Sequence, residues 1–324
     1  MENYKSQILE KMKSGESIHD FIESYNVLLT FQNSIDGKKR LLLDDKVFNY
    51  IFRNLNRQYI QFTIPKKSGE EREICAPKKQ LKYLQKNLAV ILSWYYKPNI
   101  HCQGFVQGRS IVTNAEIHTN KSYVLNVDIK DFFPSIRTAR VSNCLQKAPF
   151  EFSEPMAKII ARIASKEGVL PQGSPMSPIL SNICCEQMDS DLAKLAEVFK
   201  LTYSRYADDL TFSGYRPIFD SLFFKELGKI VRRKHSFQIK KSKTRVQTKH
   251  KRQEVTGVVV NEKLNVNRLY VRNLRALIHH YNMGKAEKNA QAVISGKLEF
   301  LKMIKGKDRV YRNLLSQFKK TPHE

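Results

Sequence analysis

"YSRYADDLTFSG", residues 203–214, sets Asp208 and Asp209 side by side between two apolar, alternating runs. Aspartate is a poor strand former, and adjacent carboxylates repel. The pattern predicts two short strands around a tight turn, with both carboxylates held out into a cleft. Their repulsion becomes tolerable if divalent cations bind between them, because Asp oxygens are the hard ligands that Mg²⁺ prefers. Two metals need a further carboxylate. "VLNVDIKDFFPSI" (124–136) supplies Asp128 at the end of an apolar strand predicted over 122–129. Three carboxylates at neighbouring strand ends suit a two-metal clamp on an in-line phosphoryl displacement.

Outward from these stretches the chain reads as mixed α+β. Residues 1–60 are expected to be helical. "QFTIPKKSGEEREICAPKKQ" (61–80) alternates, turns at Ser68-Gly69 and alternates again, which predicts a hairpin. Leu81, Leu84, Leu88, Ile91 and Leu92 share one helical face. A helix is expected from Ser177 after the Pro-broken "LPQGSP", and one or two strands in "EVTGVVVNEKLNV". The pattern is then helical over 268–282, 286–304 and 308–320. The middle order of strand, helix, hairpin, helix and strand is that of a split βαβ, ferredoxin-like sheet.

Composition narrows the partners. Hydrophobic residues make up 41% of the 324, enough for real cores. No apolar run approaches the roughly 20 residues of a membrane span. The opening "MENYKSQILEKMKSGES" lacks the apolar core of a signal peptide, so a cytoplasmic location without membrane contact is expected. Five cysteines without a C-x-x-C pair argue against a disulfide framework and a zinc ribbon, and Cys184 and Cys185 read as core. His279-His280 reads as helix surface. The formal net charge is +25, and it is uneven. From Arg216 onward there are 27 basic and 8 acidic residues, against 29 and 23 before it. A polyanion gripped mainly by the last third is the natural partner.

The motif order resembles that of a reverse transcriptase over roughly residues 60–260. "IPKKSGEER" resembles the fingers hairpin, "NVDIKDFFPSI" the first catalytic motif and "LPQGSPMSPILSN" the template-and-nucleotide helix. "YADD" resembles the second catalytic motif and "IKKSKT" the lysine-bearing motif after it. The resemblance implies a right-hand polymerase with fingers, a ferredoxin-like palm and a helical thumb. The expected divisions are 1–121 for N-terminal helices and fingers, 122–261 for the palm with a fingers insertion at about 137–170, and 262–324 for a basic thumb. It further implies two Mg²⁺ ions on Asp128, Asp208 and Asp209, with the Ile129 carbonyl assisting. Lys66 and Arg72 would hold the dNTP triphosphate, a task suited to a point charge and a planar fork. Phe133, five residues after Asp128, would be the steric gate against a ribose 2′-OH. Gln172 would line the nucleotide pocket, and Lys243 would sit near the phosphates.

Two further stretches resemble the signatures of retron reverse transcriptases: N-A-x-x-H in "TNAEIHT" (Asn114, His118) and V-T-G in "RQEVTGVVVN" (Arg252, Thr256). The short basic end after the palm agrees, since no ribonuclease H, maturase or endonuclease segment is expected. The retron resemblance implies a cognate structured noncoding RNA, primed from an internal guanosine 2′-OH and partly copied into branched msDNA. A host ribonuclease H would trim the template, and a separate effector protein would complete an antiphage defence system. Asn114, His118, Arg252, Thr256, Arg268, Arg272 and Arg275 are the expected RNA contacts. The three last arginines fall on one face of the first thumb helix, where Tyr270 and Tyr281 either stack on bases or pack in the core. The competing readings are another bacterial reverse transcriptase, of group II intron or abortive-infection type, an RNA-dependent RNA polymerase, and a silent RNA-binding scaffold.

Overall fold

The computed structural model describes residues 2–65, 69, 71–287 and 289–319. In chain order the elements are α1 (Glu2–Ser14), α2 (Ile18–Asp36), α3 (Asp45–Arg53), β1 (Tyr59–Pro65), β2 (Glu71–Pro77), α4 (Lys79–Tyr95) and α5 (Ile111–Glu116). Then come β3 (Tyr123–Lys130), α6 (Thr138–Leu145), α7 (Glu154–Ala164), α8 (Ser177–Val198), β4 (Thr202–Tyr206), β5 (Asp209–Gly214) and α9 (Ser221–Gly228). The chain continues through β6 (Gln238–Ile239), β7 (Arg245–Thr248), β8 (Glu254–Val255), β9 (Val258–Val259), α10 (Arg268–Asn282), α11 (Ala290–Lys305) and α12 (Arg309–Lys319). The chain divides into two compact units. One comprises Met1–Ile100, Ile129–Ser190 and Val231–Gln238, the other His101–Asp128, Asp191–Ile230 and Ile239–Glu324.

In the first unit, helices bury Ile8, Met12, Phe21, Leu28, Phe48, Leu84, Leu88 and Ile163. Ser17 starts α2 with a reciprocal capping box through Asp20, and Gly37 ends it in the left-handed conformation that glycine adopts without a Cβ penalty. β1 and β2 form the expected antiparallel hairpin, with Pro65 opposite Glu71. Of its expected turn, Gly69 has φ +84, and Ser68 lies outside the described residues. The polar interior is hydrogen-bonded throughout α4. Gln85 donates to the Tyr59 hydroxyl (2.9 Å) and the Ile163 carbonyl (2.8 Å), and accepts from Ser174 Oγ (2.9 Å). Buried amides without such partners would cost about 1–3 kcal/mol each.

In the second unit the strand order is β4-β5-β3-β6, with β7 also pairing β3. Chain order and spatial order together are those of the ferredoxin-like sheet expected from the sequence. β3 runs antiparallel to β5, and its central residues Val124, Leu125 and Val127 are fully buried. The C-terminal helices close over Leu274, Ile278, Ile294, Leu298, Leu301, Tyr311 and Leu314, which join Val255, Val258 and Val260 in one cluster. The three helical patterns at the end of the chain all appear. The middle one starts at Ala290 rather than 286, after Gly284 in the left-handed region. Tyr270 and Tyr281 resolve toward packing. The Tyr270 ring lies 5.3 Å from Phe300 and its hydroxyl donates to the Lys297 carbonyl (2.8 Å), while Tyr281 lies 5.5 Å from Phe318.

Candidate active site

Strand register builds the carboxylate cleft. Asp128 and Asp209 are directly opposed residues of β3 and β5, so their side chains leave the same face of the sheet. β4 and β5 pair Tyr206 with Asp209, leaving Ala207-Asp208 as a two-residue turn. Ala207 has φ +55, the left-handed conformation that a two-residue hairpin favours and an alanine tolerates poorly. The result is a cleft of about 620 Å³ lined by all three aspartates. Burial and the charges of Asp208 and Asp128 push the Asp209 carboxyl up to about 6, with Lys243 and Arg245 opposing that rise. Lys243 Nζ donates to Asp128 Oδ2 at 2.8 Å, and this bond raises the lysine's own pKa.

Among the described residues, no three His, Cys, Asp or Glu side chains form a finished metal cage. The donor set nevertheless fits hard divalent cations. Burial and the charges of Asp208 and Asp128 raise the cost of ionising Asp209, which is the electrostatic strain that a bound cation relieves. Asp128 would exchange its lysine bond for that cation. Ile129 follows Asp128 in β3 and is buried.

The remaining expected residues fall into three groups. In the first unit, Arg72 and Gln172 line one hollow of about 370 Å³. Cys75 N donates to the Gln172 carbonyl at 2.7 Å, and Gly173 has φ +124 with its missing Cβ 2.9 Å from the Cys75 carbonyl oxygen. Any other residue in "LPQG" at that glycine would push this loop off β2. Phe133 is half-buried, its ring 5.3 Å from Phe132. Lys66 lies outside the described residues.

Asn114 and His118 form the second group, and here the expectation of direct RNA contact is corrected. Both side chains are 0% exposed. Ser204 Oγ donates to Asn114 Oδ1 (2.7 Å), so its one proton is spent there and it accepts from His118 Nε2 (2.8 Å). His118 Nδ1 then accepts from Ser213 Oγ (2.7 Å). Burial drives the imidazole pKa down to about 3, so it is neutral. Asn114 Nδ2 also reaches Thr256 Oγ1 (3.4 Å), and Thr256 Oγ1 donates to the Ile111 carbonyl (3.2 Å). The two signatures are thus one hydrogen-bonded brace. Thr256 and Gly257, with φ +48 and +82, are the turn between β8 and β9 and line the carboxylate cleft.

The third group is basic and exposed. Arg268, Arg272 and Arg275 lie on α10, where Arg272 and Arg275 line a groove with His279 and Gln317. Arg252 is exposed and pairs with Glu254 (3.0 Å). The sequence reading passed over Asn126 and Arg245, which also line the cleft. Asn126 was detectable, since strand alternation places it on the same face as Asp128.

Residues 64–260 match the family model described as reverse transcriptase (RNA-dependent DNA polymerase). The retron Mx65 reverse transcriptase of Myxococcus xanthus is 35% identical over 76% of this chain and 62% of its own length. The retron Mx162 reverse transcriptase of the same organism is 33% identical over 81% of this chain and 61% of its own. This chain therefore spans somewhat under two thirds of those two relatives. The retron Ec86 reverse transcriptase of Escherichia coli is 27% identical over 95% of both chains.

Proposed function

Since the chain belongs to the reverse transcriptase family, we propose that it is the RNA-directed DNA polymerase of a retron. The observation that carries the polymerase reading is the register of β3 against β5, which opposes Asp128 to Asp209 beside Asp208. The retron reading is supported by the brace joining Asn114 and His118 to Thr256, and by the similarity to retron enzymes.

On this reading, Asp128, Asp208 and Asp209, with the Ile129 carbonyl, would hold two Mg²⁺ ions, which when bound would supply a lowered pKa for an attacking hydroxyl and countercharge for the leaving pyrophosphate. Priming starts from an internal guanosine 2′-OH of a cognate noncoding RNA, and copying yields branched, RNA-linked msDNA. The nucleophile's oxygen bonds to the α-phosphorus of a dNTP as the bond to pyrophosphate breaks. Lys243, a cation beside the three carboxylates, holds a proton at Nζ for the departing pyrophosphate. Lys66 and Arg72 bind the triphosphate, Gln172 lines the nucleotide pocket, and Phe133 excludes a ribose 2′-OH. Residues 1–121, 122–261 and 262–324 serve as fingers, palm and thumb. The thumb grips folded RNA through phosphates and shape rather than base edges. A host ribonuclease H removes copied template, and a separate effector protein acts with the product in cytoplasmic antiphage defence. No described helix is long and apolar enough to cross a membrane.

The test uses cells expressing the gene with its native flanking DNA. Nucleic acid is extracted, treated with ribonuclease and run before and after debranching. A short DNA whose mobility shifts on debranching, absent with Asp208→Asn/Asp209→Asn, is the expected result. Primer extension on an ordinary annealed template without such a DNA keeps the polymerase and removes the retron. RNA binding without either activity favours the scaffold.

A further inference from the structure

A stretch with no role in the reading above, His101–Gly104, runs along β4. Cys102 and Arg205 form a parallel bridge; Arg205 N donates to the His101 carbonyl (2.8 Å) and Gln103 N to the Arg205 carbonyl (2.7 Å). The stretch is anchored a second time where Arg109 Nη1 donates to the Cys102 carbonyl (2.5 Å). It then meets the catalytic turn at Gly104. A Cβ on Gly104 would lie 2.6 Å from Ala207 N, closer than a Cβ essentially ever comes to backbone, and a tight 3.1 Å from Tyr206 C. Only glycine lets the two backbones touch.

Arg205 acts on the same turn from inside. It is 0% exposed, and an arginine is almost never so fully buried unless its charge is held by specific partners. Its Nη1 donates to the Ala207 carbonyl (3.2 Å), and its Nη2 lies 3.2 Å from the buried Cys102 Sγ. Ala207 is the residue strained into the left-handed region, and it precedes Asp208 directly. Such strain persists only where the surroundings over-determine it. Gly104 fixes one side of the Ala207 peptide and Arg205 the other.

We infer that Gly104 and Arg205 are positioning residues for the metal-binding turn: together they lock Ala207 left-handed and so aim Asp208 and Asp209. Asp208 lies on that turn and Asp209 directly after it, so a turn that relaxes moves both carboxylates. The effect on polymerisation rests on the reading given under Proposed function, whereas the effect on cation binding does not.

The experiment uses the full chain with Gly104→Ala, with Arg205→Lys, which keeps the charge but loses the fork, and with Gly296→Ala as control. Gly296 lies on an exposed face of α11 with open space around it. Melting by circular dichroism, Mn²⁺ affinity by electron paramagnetic resonance, RNA affinity, and kcat and KM for dNTP on an annealed template are measured together. The expected result for Gly104→Ala is a folded protein with wild-type RNA affinity, weakened Mn²⁺ binding and kcat down about 100-fold, the loss typical of a reacting group misplaced by about 1 Å. Arg205→Lys shows the same pattern, more weakly, and Gly296→Ala behaves as wild type. A folded Gly104→Ala protein with wild-type Mn²⁺ affinity and kcat overturns the inference. Should Gly104→Ala not fold, Arg205→Lys decides: it removes the guanidinium bond to the Ala207 carbonyl, and a folded Arg205→Lys protein with wild-type Mn²⁺ affinity and kcat overturns the inference equally. A wild-type protein that binds Mn²⁺ but makes no DNA contradicts the polymerase reading, while the Mn²⁺ affinities of the variants still judge the positioning claim.

Discussion

In the cleft, Asp128, Asp208 and Asp209 gather negative charge on backbone held by strand register. On α10, Arg268, Arg272 and Arg275 spread positive charge along an exposed helix face. The first arrangement costs free energy unless a cation offsets it, and Asp209 records that cost as a pKa pushed up to about 6. The second costs little, because each guanidinium remains in water. A site that stores electrostatic strain needs a rigid frame and a specific cation. A site that stores none needs only charge density, and it pulls in a polyanion by releasing counterions. Losses in the cleft should therefore be chemical, and losses on α10 should be losses of affinity that salt can mimic.

The difference can be broken experimentally in several places. Reversing two charges on α10 should have the largest effect on RNA binding: Arg272→Glu/Arg275→Glu is expected to lower RNA affinity about 100-fold at low salt, with a shallower salt dependence. Filter binding across a salt series checks this, and unchanged affinity would remove α10 from the interface. In that variant, turnover at saturating RNA should hold.

The brace beneath the cleft comes next. His118→Ala leaves Ser204 and Ser213 short of a buried partner, so denaturant unfolding should show a stability loss of about 2 kcal/mol. RNA affinity at a temperature where the variant is folded should stay at the wild-type level. A selective loss of RNA affinity without destabilisation would restore His118 as a contact.

The cleft should also respond to pH in one direction. Asp209 is ionised above about pH 6 and protonated below it, and a proton competes with a divalent cation for the same oxygens. Mn²⁺ affinity should be flat from pH 8 to 7 and then fall toward tenfold per pH unit below about 6. Titration of Mn²⁺ at fixed ionic strength reads this, and RNA binding by α10 should not share the inflection. The smallest effect concerns Tyr270. Tyr270→Phe removes the bond to the Lys297 carbonyl and should cost about 1 kcal/mol of stability while leaving RNA affinity unchanged. A drop in affinity instead would mean that its ring meets bases.

How much of this was legible in the sequence followed from how each residue acts. Asp128 and the Asp208-Asp209 pair could be read because alternation defines strands, and strand pairing leaves carboxylates at their ends few places to go. The ferredoxin-like order followed from the same signal. Asn114 and His118 were misread because a polar side chain on or just after a short helix looks alike whether it faces solvent or the hydroxyls of Ser204, Ser213 and Thr256. Only the fold distinguishes them, through Ser204 and Ser213 on two different strands. The roles of Gly104 and Arg205 were illegible for a related reason. They depend on close approach between segments about 100 residues apart, Gly104 against Ala207 and Arg205 against Cys102, which leaves no period in the sequence.

The most direct measurement of the central claim is Mg²⁺-dependent incorporation of dNTP on an annealed RNA template by wild type and Asp208→Asn/Asp209→Asn, with RNA affinity and melting measured on the same samples. Wild type should extend the primer. The variant should fold, bind RNA as wild type does, and lose at least about 1,000-fold in rate, the scale on which removal of a main catalytic group acts. Extension by the folded variant at a rate near wild type would contradict the account, because the chemistry would then lie outside the cleft that β3 and β5 build.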